Sequence, residues 1–172
     1  MSLIETILKR RSVRTYTDDE IPEEKLEKIV QAGLLAPTSR NRKPCEFYVV
    51  KDKEILEKLA KSKSAGSSML ENANTAIVVF ADSEKADTWI EDSSIALAYM
   101  DLMANELDIG SCWCQSHLRY SAENEKSEDV IRKIFSMDEK YRVVGILSLG
   151  IAENKPESHN LSEIDERKVS YF

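Results

Sequence analysis

Three arginines and a serine lie close together near the start of the chain, in the run Arg10-Arg11-Ser12-Val13-Arg14. A guanidinium presents a rigid fork of donors that fits a phosphate group, and it keeps its charge at any usable pH. Arg10 and Arg14 are four positions apart, so on a helix or a tight helical exit they would share a face. The run favours a phosphate cradle for an anionic cofactor. The alternative interpretation is a solvated helix C-terminus whose basic residues complement the helix dipole.

Helices and a loop are expected around this run. A short amphipathic stretch predicts a first helix over residues 2–9, with Ser2 as its N-cap. A second helix begins near Pro22, where acidic residues occupy the first turn, and it ends before Pro37. The polar segment 38–44 that follows is predicted to be a loop rich in hydrogen-bonding side chains.

The rest of the chain alternates between strand-like and helix-like patterns. Runs rich in β-branched and aromatic residues predict strands, while apolar residues at helical spacing predict helices. Strands are expected at 46–50, 75–80, 110–115 and 143–150, and helices around 55–59, over 89–107 and from 127. The helix at 89–107 is apolar nearly all round, so it should be buried on more than one side, within the domain or under a second subunit. The pattern gives an α/β or α+β sheet flanked by helices.

Composition argues against several classes of protein. A length of 172 residues fits one domain over 1–172, and a net charge of -7 argues against binding to nucleic acid or to an anionic membrane surface. No apolar run approaches the roughly 20 residues of a membrane span, and the N-terminus lacks the apolar core of a signal peptide. We therefore expect a cytoplasmic protein. Cys45, Cys112 and Cys114 are too few for a disulfide framework, and their reactivity is left open.

Common cofactor motifs are missing from the sequence. No Gly-x-Gly-x-x-Gly follows a strand and no Gly-x-x-x-x-Gly-Lys loop is present, so neither a Rossmann site nor a P-loop is supported. His117 and His159 lack partners at metal-ligand spacing, and no metal site is expected.

The order of the remaining motifs resembles that of the flavin-dependent nitroreductase family, and in particular its short members. The resemblance covers almost the whole chain. It rests on four motifs, namely Arg10–Arg14, Ala36-Pro37-Thr38-Ser39-x-Asn41-x-x-Pro44, Gly110-Ser111-Cys112-Trp113 and the strand end Leu149-Gly150. The fold that it implies is α+β, with three α/β/α-like layers, a mixed but mainly antiparallel central sheet and an intertwined homodimer.

The resemblance also implies that FMN binds at the interface between the two subunits. Four residues of the N-terminal run would hold its phosphate, ribityl chain and pyrimidine edge: Arg10, Arg11, Ser12 and Arg14. Four loop residues would reach the flavin ring from the other subunit: Pro37, Thr38, Ser39 and Asn41. Cys114 and Gln115 would pass the ring near its nitrogen N5, and Ser67 would contact the pyrimidine edge.

The activity implied by the resemblance is that of an FMN-dependent NAD(P)H oxidoreductase. NADH or NADPH would pass a hydride to flavin N5, leave, and be replaced by a small-molecule acceptor such as a nitro compound or a quinone, an order called ping-pong. No side chain is predicted to be catalytic, because the flavin carries the chemistry. The alternatives are a flavin-binding carrier or sensor without nicotinamide turnover, and a different flavin chemistry. Neither the preferred nicotinamide nor the physiological acceptor follows from the sequence.

The C-terminal segment 151–172 has no clean periodicity. It is expected to dock on the partner subunit, and its end, Val169–Phe172, is typical of an edge strand or a docking segment. Many family members complete the phosphate site with a basic pair from this region. This chain lacks a clear pair there, and Lys155 or Arg167 is expected to substitute.

Overall fold

One antiparallel sheet organises residues 2–172, the part of the chain that the computed structural model describes. Its strands are β1 (Cys45–Val50), β2 (Thr75–Asp82), β3 (Gly110–Gln115) and β4 (Tyr141–Gly150). The α helices of the described chain are α1 (Leu3–Lys9), α2 (Glu23–Leu35), α3 (Lys53–Lys61), α4 (Trp89–Glu106) and α5 (Ser127–Phe135). These bounds agree closely with the strands and helices predicted from the sequence.

The sheet has the strand order β1-β2-β4-β3, and each neighbouring pair of strands is antiparallel. Among the described residues, the one parallel pairing is an isolated bridge between Ser12 and Ser111. The prediction of a mainly antiparallel sheet is confirmed, and in the described chain parallel pairing is limited to this bridge outside the four strands. Strand β3 lies at one edge of the sheet, and the N-terminal segment runs beside it.

Helices cover both faces of the sheet. Alternate residues of β2 point to opposite faces, as the pleat of a strand requires. Ile77 belongs to the apolar cluster that includes Leu97 of α4, on the face that α2 also covers. Val78 belongs to a second cluster with Leu56 of α3 and Ile131 of α5. The predicted α/β/α arrangement of three layers is confirmed.

Helix α4 is buried along one side and open along another. Leu97 and Met100 are fully buried against the sheet, whereas Ile90 and Tyr99 are 38% and 44% exposed. Leu26 and Ile29 of α2 pack in the same cluster, so within the described chain α4 is covered by the sheet and by α2, and the side with Ile90 and Tyr99 is open. No helix of the described residues is both long enough and apolar enough to cross a membrane.

The C-terminal segment turns back along the start of the chain after β4. Ala152 forms an antiparallel bridge with Tyr16, and the His159 amide donates to the Leu8 carbonyl at 2.8 Å. Val169–Phe172 forms no strand within this chain, because no strand of the sheet runs beside it, and its side chains are exposed. Docking of the segment on a partner subunit stays a prediction.

Candidate functional site

The Arg10–Arg14 segment leaves α1 with an extended backbone and lies along the edge strand β3. Arg10 has φ -61° and ψ 119°, and the Val13 amide donates to the Ser111 carbonyl at 2.8 Å. The Tyr16 hydroxyl holds the segment by donating to the Val13 carbonyl at 2.8 Å. The expectation that Arg10 and Arg14 share the face of a helix is therefore corrected. In an extended backbone, alternate side chains share a side, so Arg10 and Arg14 still lie on the same side.

One side of the segment carries Arg10, Ser12 and Arg14. Arg10 Nη1 lies 3.6 Å from Asp101 Oδ2 of α4. The Ser12 hydroxyl and the charge of Arg14 both act to lower the pKa of the Cys112 thiol of β3. Burial nevertheless raises the pKa of Cys112 above its ordinary value. Two guanidiniums and a hydroxyl thus form one cationic, hydrogen-bonding face at the start of β3.

Arg11 lies on the opposite side of the segment. Its guanidinium donates to the Glu157 carbonyl, and it lines a cavity of about 450 Å³ beside the C-terminal ends of α1 and α4. Lys155 lines the same cavity, where its ammonium binds the Asp108 carboxylate at 2.6 and 2.7 Å. Arg167 binds an aspartate of its own turn instead. Of the two cations expected to substitute for the basic pair, Lys155 is the one near the N-terminal run.

A further cation, Lys63, lies at the other end of β3. Its ammonium donates to the Gln115 carbonyl at 3.2 Å, and the Cys114 thiol contacts the Gly66 carbonyl at 3.6 Å. The Ser67 hydroxyl donates to a carbonyl of α3 at 2.6 Å, so it closes the loop, and its contact with a ligand stays a prediction. The sequence-based prediction did not include Lys63 among the site residues. It could have been found as a basic residue in the same polar loop as Ser67.

The side chains of β3 divide between the two faces of the sheet. The Trp113 indole donates to Gln115 Oε1 at 3.0 Å, and Gln115 Nε2 donates to the His117 carbonyl at 3.2 Å. The Gln115 amide is thus held in place, and its backbone carbonyl is the group that faces Lys63. Cys112 and Cys114 lie together on the other face, each 2% exposed, and burial raises the pKa of both thiols.

Positive charge therefore lies at both ends of the edge strand β3. From Ser111, next to the arginine face, to Gln115, next to Lys63, the strand spans about 13 Å at 3.3 Å per residue. An elongated ligand with an anionic group at one end and a polar, electron-poor ring at the other matches this distribution of charge.

The Pro37–Asn41 loop has a strained backbone and lies apart from the edge of β3. Arg40 and Asn41 of the loop, and Lys43 just after it, have left-handed backbone, with φ of 51°, 55° and 46°. The Ser39 amide donates to Oδ1 of Asp92, near the N-terminal end of α4, at 2.9 Å. Such conformations in residues other than glycine cost free energy and concentrate at functional sites.

This loop does not meet the arginine face within one chain. Its anchor Asp92 precedes Asp101, the partner of Arg10, by nine positions on α4, which is about 13 Å at 1.5 Å per residue. No hydrogen bond or ion pair of the described residues joins the loop to the Arg10–Arg14 segment. The loop and the arginine face are therefore two separate surfaces of one chain, about 13 Å apart along α4.

An apolar surface lies between α1, α2 and α4. A cavity of about 470 Å³ is lined there by Leu3, Ala32, Tyr99, Leu102 and Met103, together with two polar residues of α1 and α4. Leu3 is 68% exposed and Tyr99 is 44% exposed. Contiguous exposed apolar surface of this kind marks a contact with another molecule.

The family of the chain follows from comparison with known proteins. The family model described as the Nitroreductase family matches residues 7–66 and 61–151. The chain belongs to the nitroreductase family. A protein of Archaeoglobus fulgidus proposed to be an NADH dehydrogenase/NAD(P)H nitroreductase is 35% identical over 168 residues, covering 95% of this chain and 91% of its own.

Solved nitroreductase structures share the fold described above. An FMN-dependent nitroreductase from Clostridium difficile R20291 superimposes with a TM-score of 0.95 at 43% identity, and 98% of each chain is covered. A Clostridium acetobutylicum protein proposed to be an NADH oxidase gives a TM-score of 0.86 at 28% identity, covering 96% of this chain and 97% of that one. The resemblance read from the sequence motifs is confirmed at the level of family and fold.

Proposed function

We propose that this protein is an FMN-dependent NAD(P)H oxidoreductase of the cytoplasm that reduces a small molecule, such as a nitro compound or a quinone. The observation that carries the proposal is the edge of β3 with cations at both ends, in a chain of the nitroreductase family. The 43% identity to a structure named an FMN-dependent nitroreductase supports the choice of cofactor. The names of other relatives support a nicotinamide donor.

The donor set of this edge fits FMN. A phosphate dianion needs fixed positive partners, and Arg10, Ser12 and Arg14 offer two guanidiniums and a hydroxyl on one face. Arg10 approaches Asp101 no closer than 3.6 Å, so the donors of its guanidinium are available to a ligand. Lys63 supplies a positive charge about 13 Å further along the strand.

Each part of the edge then has a role toward the cofactor. Arg10, Ser12 and Arg14 bind the phosphate, and Arg11, on the opposite side of the segment, adds its positive charge from the neighbouring cavity. Lys63 favours negative charge on a ring held beside Gln115. FMN, when bound, would supply the chemistry of accepting a hydride from the nicotinamide and passing it to the acceptor. The two substrates would use one site in turn.

We also propose that the protein is a homodimer with two such sites. The exposed apolar surface on α1, α2 and α4 supports this, since α4 has an open apolar side. In the dimer the loop residues Pro37, Thr38, Ser39 and Asn41 of one subunit approach the arginine face of the other. The segment 151–172 contributes to the same interface.

The absorbance spectrum of the freshly purified protein tests the proposed function. Flavin bands are expected, and they should bleach when NADH or NADPH is added without oxygen, because hydride transfer reduces the bound cofactor. Bands that persist with both donors would instead support a flavin carrier or sensor. A protein that takes up no flavin even after incubation with FMN would contradict the proposal.

A further inference from the structure

Asp101 is an acidic residue next to a site that the proposed function assigns to an anion. It lies on α4 with a side chain only 13% exposed, while that of its partner Arg10 is 32% exposed. Oδ2 of Asp101 is 3.6 Å from Arg10 Nη1, and Oδ1 accepts a hydrogen bond from the Ser111 hydroxyl at 2.5 Å. A carboxylate in this position repels a phosphate and loses hydration, so its charge alone does not help the ligand to bind.

The geometry of the two contacts suggests what Asp101 does. Ser111 is also the residue that bridges to Ser12 and accepts from the Val13 amide, so the carboxylate is fixed to the point where the N-terminal segment joins β3. Arg10 is the C-cap residue directly after α1, and its long side chain has many rotamers. A fixed carboxylate 3.6 Å from the guanidinium limits these rotamers by its charge and leaves the donors available to a ligand.

We propose, on the basis of the proposed FMN site, that Asp101 is a positioning residue that orients Arg10 toward the phosphate of the flavin. Asp101 acts on the phosphate alone, and it does so through Arg10. Two consequences distinguish this role from general support of the fold. Asp101 affects the affinity for FMN and not for riboflavin, which lacks the phosphate, and its effect disappears when Arg10 is absent.

The test measures the binding of FMN and of riboflavin to the flavin-free protein by the change in flavin fluorescence. For Asp101→Asn we expect the Kd of FMN to rise about tenfold, the size expected when one long side chain must be ordered by the ligand itself. The Kd of riboflavin should change less than about twofold. Ser111→Ala removes the hydrogen bond to Asp101 and should give the same pattern at about a third of the size.

Matched variants make the outcome decisive. Asp129→Asn removes a helical aspartate bound to a different arginine, Arg132 at 2.6 Å on α5, and should leave both Kd values unchanged. In the double variant Arg10→Ala/Asp101→Asn, the Kd of FMN should equal that of Arg10→Ala alone, since Asp101 has nothing left to orient.

Different results would contradict the role of Asp101 and the proposed phosphate site. If Arg10→Ala binds FMN normally, the proposed phosphate site is wrong. If Arg10→Ala loses FMN while Asp101→Asn and Ser111→Ala bind it as tightly as the natural protein or more tightly, only the role of Asp101 is wrong. If Asp101→Asn weakens the binding of FMN and of riboflavin equally, or if the losses of affinity in the double variant are additive, Asp101 only supports the fold. Either result would also overturn the positioning role of Asp101.

Discussion

An extended backbone carries Arg10, Ser12 and Arg14 to one side of the N-terminal segment and Arg11 to the other. On a helix, Arg10 and Arg14 would also be neighbours, but Ser12 would point away from them. The spacing in the sequence is compatible with both conformations. The bridge between Ser12 and Ser111 favours the extended one, because it uses backbone groups of the edge strand β3.

This alternation predicts unequal effects of the arginines on FMN binding. The double variant Arg10→Ala/Arg14→Ala should lose FMN by at least about 100-fold in affinity, since two charge-assisted contacts to one phosphate are removed. Arg11→Ala, the matched control from the same run, should lose less, because Arg11 lies on the other side. Fluorescence titration checks both, with circular dichroism to show that the fold is kept. Equal losses in the two proteins would contradict the division between the two sides.

Lys63 predicts a change in the redox behaviour of the bound cofactor. With Lys63→Met the protein should keep FMN, but its midpoint potential should fall by roughly 30 mV, which for a two-electron couple is about 1.4 kcal/mol. The reason is that the ammonium at the Gln115 carbonyl stabilises negative charge near the ring. Lys61→Met, two residues away and exposed, is the control and should leave the potential unchanged. A potential that stays the same in both variants would remove Lys63 from the site.

The helices and strands could be predicted from the sequence, whereas their placement relative to one another could be predicted less well. Periodic apolar residues identify β2 and α4 because a strand buried on both faces and a buried helix have distinct patterns. The route of residues 10–14 beside β3 depends on contacts distant in sequence, which periodicity does not encode. The same holds for Lys63, which contacts the Gln115 carbonyl of β3, and for Asp101, which pairs with Arg10 at the end of α1.

A buried charged cluster joins α5, β4 and the turn after β3, and the sequence did not reveal it. The Glu128 carboxylate accepts from Arg142 Nε at 2.9 Å and Nη2 at 3.0 Å, and lies 2.8 Å from His117 Nδ1. Trp89 covers the cluster, with its ring 4.7 Å from the Arg142 guanidinium carbon. The His117 carbonyl in turn holds the Gln115 amide, so the cluster supports the end of β3.

Loss of Glu128 should destabilise the fold. Glu128→Gln is expected to lower the free energy of unfolding by about 2–4 kcal/mol, because it removes a buried carboxylate that binds Arg142 twice and His117 once. Glu125→Gln, which removes a carboxylate from an exposed pair with Lys133, should cost under about 1 kcal/mol. Urea denaturation at neutral pH measures both. A Glu128 variant as stable as the Glu125 control would show that the cluster is not stabilising.

The same carboxylate predicts how stability depends on pH. Burial would raise the pKa of Glu128, but hydrogen bonds from Arg142 and His117 and the charge of Arg142 outweigh it and hold the pKa below its ordinary value of 4.5. A carboxylate with a lowered pKa in the fold stabilises above its ordinary pKa, and that stabilisation is lost as the pH falls through the folded value. Denaturation midpoints of the natural protein should therefore drop more steeply below pH 4.5 than those of Glu128→Gln. Parallel curves would contradict the assignment.

The two surfaces that the proposed site combines lie apart within one chain. The arginine face lies beside residue 101 of α4, and the strained loop lies beside residue 92. The apolar sequence of α4 predicts a covering surface, but an apolar pattern does not say whether that surface belongs to the same chain. The motif order alone, through the resemblance to a dimeric family, predicts that the two surfaces belong to one site.

Mixed dimers test whether the two surfaces of one site come from different subunits. Arg10→Ala/Arg14→Ala lacks the arginine face, and Pro37→Trp puts a large ring on an exposed loop position, where it blocks a site only if the loop enters one. Each variant alone should form dimers, by light scattering, that hold little FMN. If each site takes one half from each subunit, a mixed dimer contains one site with both lesions and one intact site.

The amount of FMN recovered measures this arrangement directly. After the two variants are unfolded together at equal concentration and refolded, half of the dimers are mixed, so about a quarter of all sites should bind FMN at the affinity of the natural protein. Refolding each variant by itself is the control and should recover almost none. If the loop serves the arginine face of its own chain, every site keeps one lesion and mixing restores nothing. A monomer that binds one FMN per chain would exclude the shared site altogether.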